Sequence, residues 1–129
     1  MEKLIEQAKQ AREFAHVPYS NFKVGAALKT KDGSVYTGCN VENASYGLTN
    51  CAERTAVFKA VSSGSKDIEE IAIVADTKEA VAPCGACRQV LSEFMAPEAV
   101  IILSNLQGNI VETTMQELLP GAFQAGDMR

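Results

Sequence analysis

Residues 49–61 read TNCAERTAVFKAV. The stretch crowds a thiol, a carboxylate and a guanidinium into Cys51-Ala52-Glu53-Arg54, the first turn of a helix predicted over 51–61 and stopped by Ser62-Ser63-Gly64. A β-branched run at 68–75 follows and reads as a buried strand. Then comes PCGACRQ at 83–89, with proline just before the first turn of a second helix at 83–94, and another buried strand at 99–103. Helix, strand, helix and strand in alternation, with cysteines at both helix starts, decide the fold class.

The flanks extend the pattern. Leu4, Ile5, Ala8, Ala11 and Ala15 recur near helical period, predicting an amphipathic helix over 3–15 that Val17-Pro18-Tyr19-Ser20 ends. Residues 22–29 and 34–39 flank Lys31-Asp32-Gly33 and read as a hairpin. Residues 40–49 are polar and form a loop. A turn at 105–109 leads to a last strand at 110–113, and a short helix at 115–118 precedes Pro120-Gly121. This order predicts a three-layer α/β/α sandwich with a mixed sheet of about five strands. No linker, repeat or low-complexity segment divides residues 1–129, so a single domain is expected.

The 129 residues are 47% hydrophobic and 22% charged, which are globular values. MEKLIEQAKQ carries charges where a signal peptide needs an apolar run, and no stretch approaches the roughly 18 apolar residues of a membrane span. The expectation is a cytosolic protein without a membrane partner. A net charge of −4 and scattered basic residues argue against a nucleic-acid backbone as ligand. A small, near-neutral substrate fits better. In a reducing compartment Cys39, Cys51, Cys84 and Cys87 are left for metal binding, redox work or burial.

Cys84 and Cys87, at a helix start, can point at one metal, and the helix N-terminus favours their negative charge. Cys51 has the same placement on the other helix. If both N-termini meet at one sheet edge, three sulfurs can bind zinc at about 2.3 Å each and leave a fourth position open, the pattern of a catalytic site. Glu53, two residues from a ligand, can reach that position and move protons there. Three thiolates on one zinc leave a net negative charge, so a compensating cation is needed. Arg54 is expected to hydrogen-bond the ligand sulfurs.

Other readings stand beside this one. Asn50 and Glu53 have capping-box spacing. Cys84 and Cys87 could be a redox pair, or Cys39 could close a structural four-cysteine zinc site. Otherwise Cys39 is a small buried residue at a strand end. His16 reads as structural. Arg88 either reaches sulfur or lies exposed on its helix.

The pairing of C-x-E with P-C-x-x-C resembles the zinc-dependent nucleoside deaminases. The segments PYSNFKVGAAL, GCNVENASYG, NCAERTA, PCGACRQV and ELLPGAF extend that resemblance over nearly the whole chain, to the small homotetrameric cytidine deaminases. The resemblance implies one zinc per subunit on Cys51, Cys84 and Cys87, and Glu53 as the proton shuttle for attack of water on C4 of cytosine. It implies that the Ala52 N–H meets the pyrimidine O2, that Phe22 packs near the base, and that Asn40 and Glu42 bind the ribose. Phe123 would approach the base from a neighbouring subunit, with Tyr46 near a subunit boundary. Deamination of an antibiotic nucleoside such as blasticidin S is the nearest alternative. A non-catalytic zinc domain is the alternative of a different class.

Overall fold

The computed structural model describes residues 2–77 and 84–120. In chain order they form α1 (Glu2–Arg12), β1 (Val24–Thr30), β2 (Val35–Cys39), a 3₁₀ turn (Tyr46–Leu48), α2 (Ala52–Ser62), β3 (Ile68–Ala75), α3 (Gly85–Phe94), β4 (Met95–Asn105), β5 (Ile110–Thr114) and α4 (Met115–Leu118). The strands make one mixed sheet in the order β2-β1-β3-β4-β5. Only β3 and β4 pair in parallel; the other neighbours are antiparallel. Because β2 and β3 both run antiparallel to β1, they point the same way. The helices that follow them, α2 and α3, therefore begin at the same edge of the sheet.

Side chains alternate across the strands and build two cores. Ala27, Ala72, Val74 and Ile102 meet Leu4, Ile5 and Ala8 of α1 on one face. Ala26, Leu28, Ile71, Ile73, Ile101 and Leu103 meet Ala56 and Val57 of α2, Leu91 of α3 and Met115 of α4 on the other. With helices on both faces, Ile71 to Ala75 of β3 are buried without a break, as the β-branched run required. This is the three-layer α/β/α arrangement. Among the described residues no helix is long and apolar enough to cross a membrane.

Two boundaries differ from the sequence reading by three residues or more. The first helix ends at Arg12, three residues before Ala15. Its continuation tightens into i→i−3 bonds from Phe14 to Ala11 and from Ala15 to Arg12, after which the His16 N–H leaves the helix for the Asn40 carbonyl. Strand β4 starts at Met95 instead of Ala99: Met95 pairs with Ile68, and the register then jumps to Glu70 opposite Val100. Pro97 lies inside the jump, where no ladder donor is needed. The polar, proline-containing break hides the strand's first residues from a hydrophobicity pattern.

At the hairpin, the Asp32 carboxylate accepts from the Thr30 hydroxyl, the Ser34 N–H and the Ser65 hydroxyl. These bonds, Thr30's first, hold its pKa down from 3.8 to about 2. A carboxyl with a depressed folded pKa stabilises the fold above its unfolded pKa, and that contribution is lost as pH falls through the folded one. Asp32→Ala should therefore lower the urea midpoint at pH 7, and the gap to wild type should close between pH 4 and 2.

Helix α2 rides directly on β2. A Cβ on Gly38 would lie 2.5 Å from the Ala56 nitrogen and 2.8 Å from the Ala52 oxygen, both backbone atoms. Gly38→Ala must push α2 off the sheet, at a cost of about 3 kcal/mol or more. Urea unfolding should show that loss, together with impaired metal retention, since Cys51 immediately precedes α2.

Candidate active site

Both helices that start at this sheet edge use cysteine as N-cap. Cys51 caps α2 and Cys84 caps α3, each in extended backbone and neither making a side-chain capping bond. The N-cap position usually belongs to Ser, Thr, Asp or Asn. Here it places a sulfur at the positive end of each helix. Cys87, fully buried three residues into α3, adds a third. The strands that precede the two helices are not neighbours: β1 lies between β2 and β3, and it is their common direction that brings the N-termini together.

The three sulfurs lie within 4.8 Å of one another, with Cys84 and Cys87 3.4 Å apart. Tetrahedral zinc with bonds of about 2.3 Å needs its sulfurs about 3.8 Å apart, so this donor set fits the ion in type and spacing. None of the four cysteines is in a disulfide. Cys39 sits on β2, outside the sulfur group.

The charges around the sulfurs are ordered. A hydrogen bond from the Cys87 thiol, and then the Arg54 guanidinium, bring Cys51 down to about pKa 5 against the opposing effect of burial. The same contact with Cys51, with burial and the nearby Glu53 charge, pushes Cys87 up. Arg54 Nη2 donates to Cys51 Sγ at 3.3 Å, and its buried Nε meets no acceptor among the described residues. The contact with Cys51 raises the arginine's own pKa.

Glu53 follows one residue after Ala52, the first residue of α2, and is only 5% exposed. Burial raises its pKa, and the neighbouring Cys51 charge adds to the rise. It makes no capping box, because Cys51 and not Asn50 is the N-cap, while Asn50 Nδ2 donates to the Thr55 hydroxyl. Glu53 instead lines a cavity.

That cavity holds about 240 Å³ and is lined by Phe22, Val24, Asn40, Thr49, Cys51, Ala52, Glu53, Ile73, Ala75 and Cys84. Pockets for drug-sized ligands span about 300–1,000 Å³, so this one suits a small heterocycle. A larger hollow of about 470 Å³, bordered by Lys31, Lys66, Asp67 and Glu93, contains no cysteine and no buried acid.

Of the residues singled out in the sequence, Phe22, Asn40, Cys51, Ala52, Glu53 and Cys84 share this wall. Glu42 does not: its Oε1 accepts from the N–H groups of Tyr19 and Ser20, both at 3.1 Å, and its Oε2 accepts from the Ser20 hydroxyl. Tyr46 is 82% exposed on the 3₁₀ turn and lines none of the cavity. Phe123 lies outside the described residues. Arg88 is half-buried and donates to the Leu118 carbonyl at 2.8 Å, so it is not a solvent-facing helix arginine. His16 bridges Asn40 and Glu42 through its backbone.

Val24, Thr49, Ile73 and Ala75 of the wall were not foreseen. Val24 and Ala75 are register partners at the ends of β1 and β3. The strand runs were legible, but not which of their ends would meet α2. Replacing Cys39 with Ser should leave bound metal unchanged after dialysis, whereas Cys87→Ser should lose most of it. Metal analysis of the two variants decides whether the fourth cysteine takes part.

Residues 1–103 match the family described as the cytidine and deoxycytidylate deaminase zinc-binding region. The chain is 65% identical to the cytidine deaminase of Halalkalibacterium halodurans, covering 97% of this chain and 95% of that protein. It is 57% identical to the cytidine deaminase of Sporosarcina psychrophila, covering 99% and 94%. The crystal structure of cytidine deaminase from Burkholderia pseudomallei superposes with a TM-score of 0.92 at 56% identity, over 95% of this chain and 98% of that one. The chain is therefore a member of the cytidine and deoxycytidylate deaminase zinc-binding family.

Proposed function

We propose that this protein is a cytidine deaminase, a hydrolase that converts cytidine and deoxycytidine to uridine and deoxyuridine with release of ammonia. The observation that carries the reading is the burial of Glu53 in the wall of a small cavity beside Cys51 and Cys84. A carboxyl shielded from water, with its pKa raised, is suited to accept a proton and give it back. Zinc, when held by Cys51, Cys84 and Cys87, supplies the acidity that makes water a nucleophile near neutral pH.

Glu53 takes a proton from the attacking water and delivers it to N3 of the cytosine ring as oxygen adds to C4. It then carries the second proton to the exocyclic amino group, which leaves as ammonia, and C4 becomes a carbonyl. The Ala52 N–H has no intrahelical acceptor, as the first amide of α2, and donates to the pyrimidine O2. The Phe22 ring, in the cavity wall, packs against the base. Asn40 and Glu42, on one extended segment, take the ribose hydroxyls. Arg54 offsets the excess negative charge of three thiolates on one zinc.

The whole chain, residues 1–129, acts as one domain with one zinc per subunit, in a homotetramer whose sites are shared. Tyr46, exposed on its turn, lies at a subunit boundary in this assembly, and Phe123 reaches the base of a neighbouring site. The large exposed side chains of Tyr46, Leu48 and Phe58 suit such burial. Free cysteines suit a cytoplasmic compartment, and the reaction belongs to pyrimidine salvage.

An ultraviolet assay of the purified protein with cytidine, deoxycytidine, CMP and blasticidin S, beside a zinc measurement, tests the reading. Cytidine and deoxycytidine should be turned over and the other two should not. Glu53→Gln should retain zinc and fold and lose about 10²–10⁴ in kcat. Preference for blasticidin S would replace the substrate. Zinc without turnover of any of the four would leave a structural metal domain.

A further inference from the structure

Glu42 does not wait for a ligand in solvent; a turn built around Ser20 holds it. The backbone N–H groups of Tyr19 and Ser20 both donate to Oε1 at 3.1 Å, and the Ser20 hydroxyl donates to Oε2. The polarity of that last bond is fixed on both sides. A carboxylate only accepts, and the Ser20 hydroxyl has one proton, so the oxygen is free to accept the Phe22 N–H at 3.0 Å. The Phe22 carbonyl in turn accepts from Asn40 Nδ2 at 2.8 Å, while Asn40 Oδ1 accepts the Val24 N–H at 3.0 Å. Both peptide groups of Phe22 are thus tied, one through Ser20 to Glu42 and the other directly to Asn40.

The turn itself is shaped for this. Asn21 has φ of +57°, the sole non-glycine residue with positive φ among those described, and its N–H closes on the Val17 carbonyl at 2.9 Å. Asparagine tolerates that conformation better than most residues. It turns the chain so that Ser20 faces Glu42 and Phe22 faces the cavity. With three donors in place, the Glu42 carboxylate keeps about one of its four lone-pair directions, on Oε2.

We propose that Ser20 is a positioning residue for nucleoside specificity: it leaves Glu42 one acceptor direction for a sugar hydroxyl and locks that direction to the position of the Phe22 ring. Base and sugar are then read by one hydrogen-bonded unit, residues 19–24 and 40–42. The inference rests on the reading of Glu42 as a ribose-binding residue.

Steady-state kinetics of Ser20→Ala, Ser20→Thr and Glu42→Gln, with zinc content and Tm recorded for each, test it. Ser20→Ala should raise KM for cytidine about tenfold, the effect of one charge-assisted hydrogen bond, with kcat changed less than about twofold. The inhibition constant of 2′,3′-dideoxycytidine, which lacks the 2′ and 3′ hydroxyls, should rise less than the cytidine KM, and Ser20→Thr should restore most of the cytidine KM. An unchanged KM in Ser20→Ala while Glu42→Gln raises it overturns the role of Ser20 alone. An equal loss for the dideoxynucleoside does the same, since it reports a general disturbance of the turn. If Glu42→Gln leaves the cytidine KM unaltered, the sugar-binding reading fails, and the proposal with it.

Discussion

Everything in the site depends on two helices beginning at one sheet edge. Strands β2 and β3 run the same way on either side of β1, and each hands the chain to a helix on the same face. Two positive helix ends meet there, with cysteine at the cap position of each. In open α/β sheets the carboxyl ends of strands are the usual place for ligands. Here the topology also supplies the electrostatics. Thiolates that would repel one another elsewhere sit where backbone N–H groups and the Arg54 guanidinium favour them.

The same electrostatics separates the acid from the sulfurs. Arg54 and the Cys87 thiol draw Cys51 toward the thiolate form. Glu53, two residues away in sequence but enclosed by the cavity, is pushed the other way by burial and by that sulfur's charge. One helical turn therefore carries a group that prefers to be ionised and a group that readily holds a proton. Division of labour between neighbouring titratable groups is what acid–base chemistry near neutral pH requires.

Much of this was written in the sequence. The alternation of helical and strand patterns predicted the sandwich, because strands buried on both faces need continuous apolar runs, and 71–75 within the predicted strand is one. Cys51, Cys84 and Cys87 were legible since thiols at helix starts have few other uses in a chain without disulfides. The extended start of β4 was not, as Pro97 and Glu98 interrupt its pattern. Nor was the role of Ser20: its partners Glu42 and Phe22 lie 22 and 2 residues away, and no periodicity joins a turn to a loop across such a gap. Val24, Ile73 and Ala75 escaped for a related reason, because a strand run does not say which of its residues will look into a hollow.

The contact at Gly38 reaches beyond stability. Helix α2 touches the main chain of β2 with no side chain as spacer, so its seat on the sheet cannot be retuned by exchanging a large residue for a small one. The place of the helix end that carries Ala52 and Glu53 is thereby frozen at the level of backbone geometry. A descendant of this chain that came to accept a bulkier ring or a different sugar would have to find its room in exchangeable side chains around the hollow, such as Phe22, Val24 and Ile73, while that seat stayed as it is.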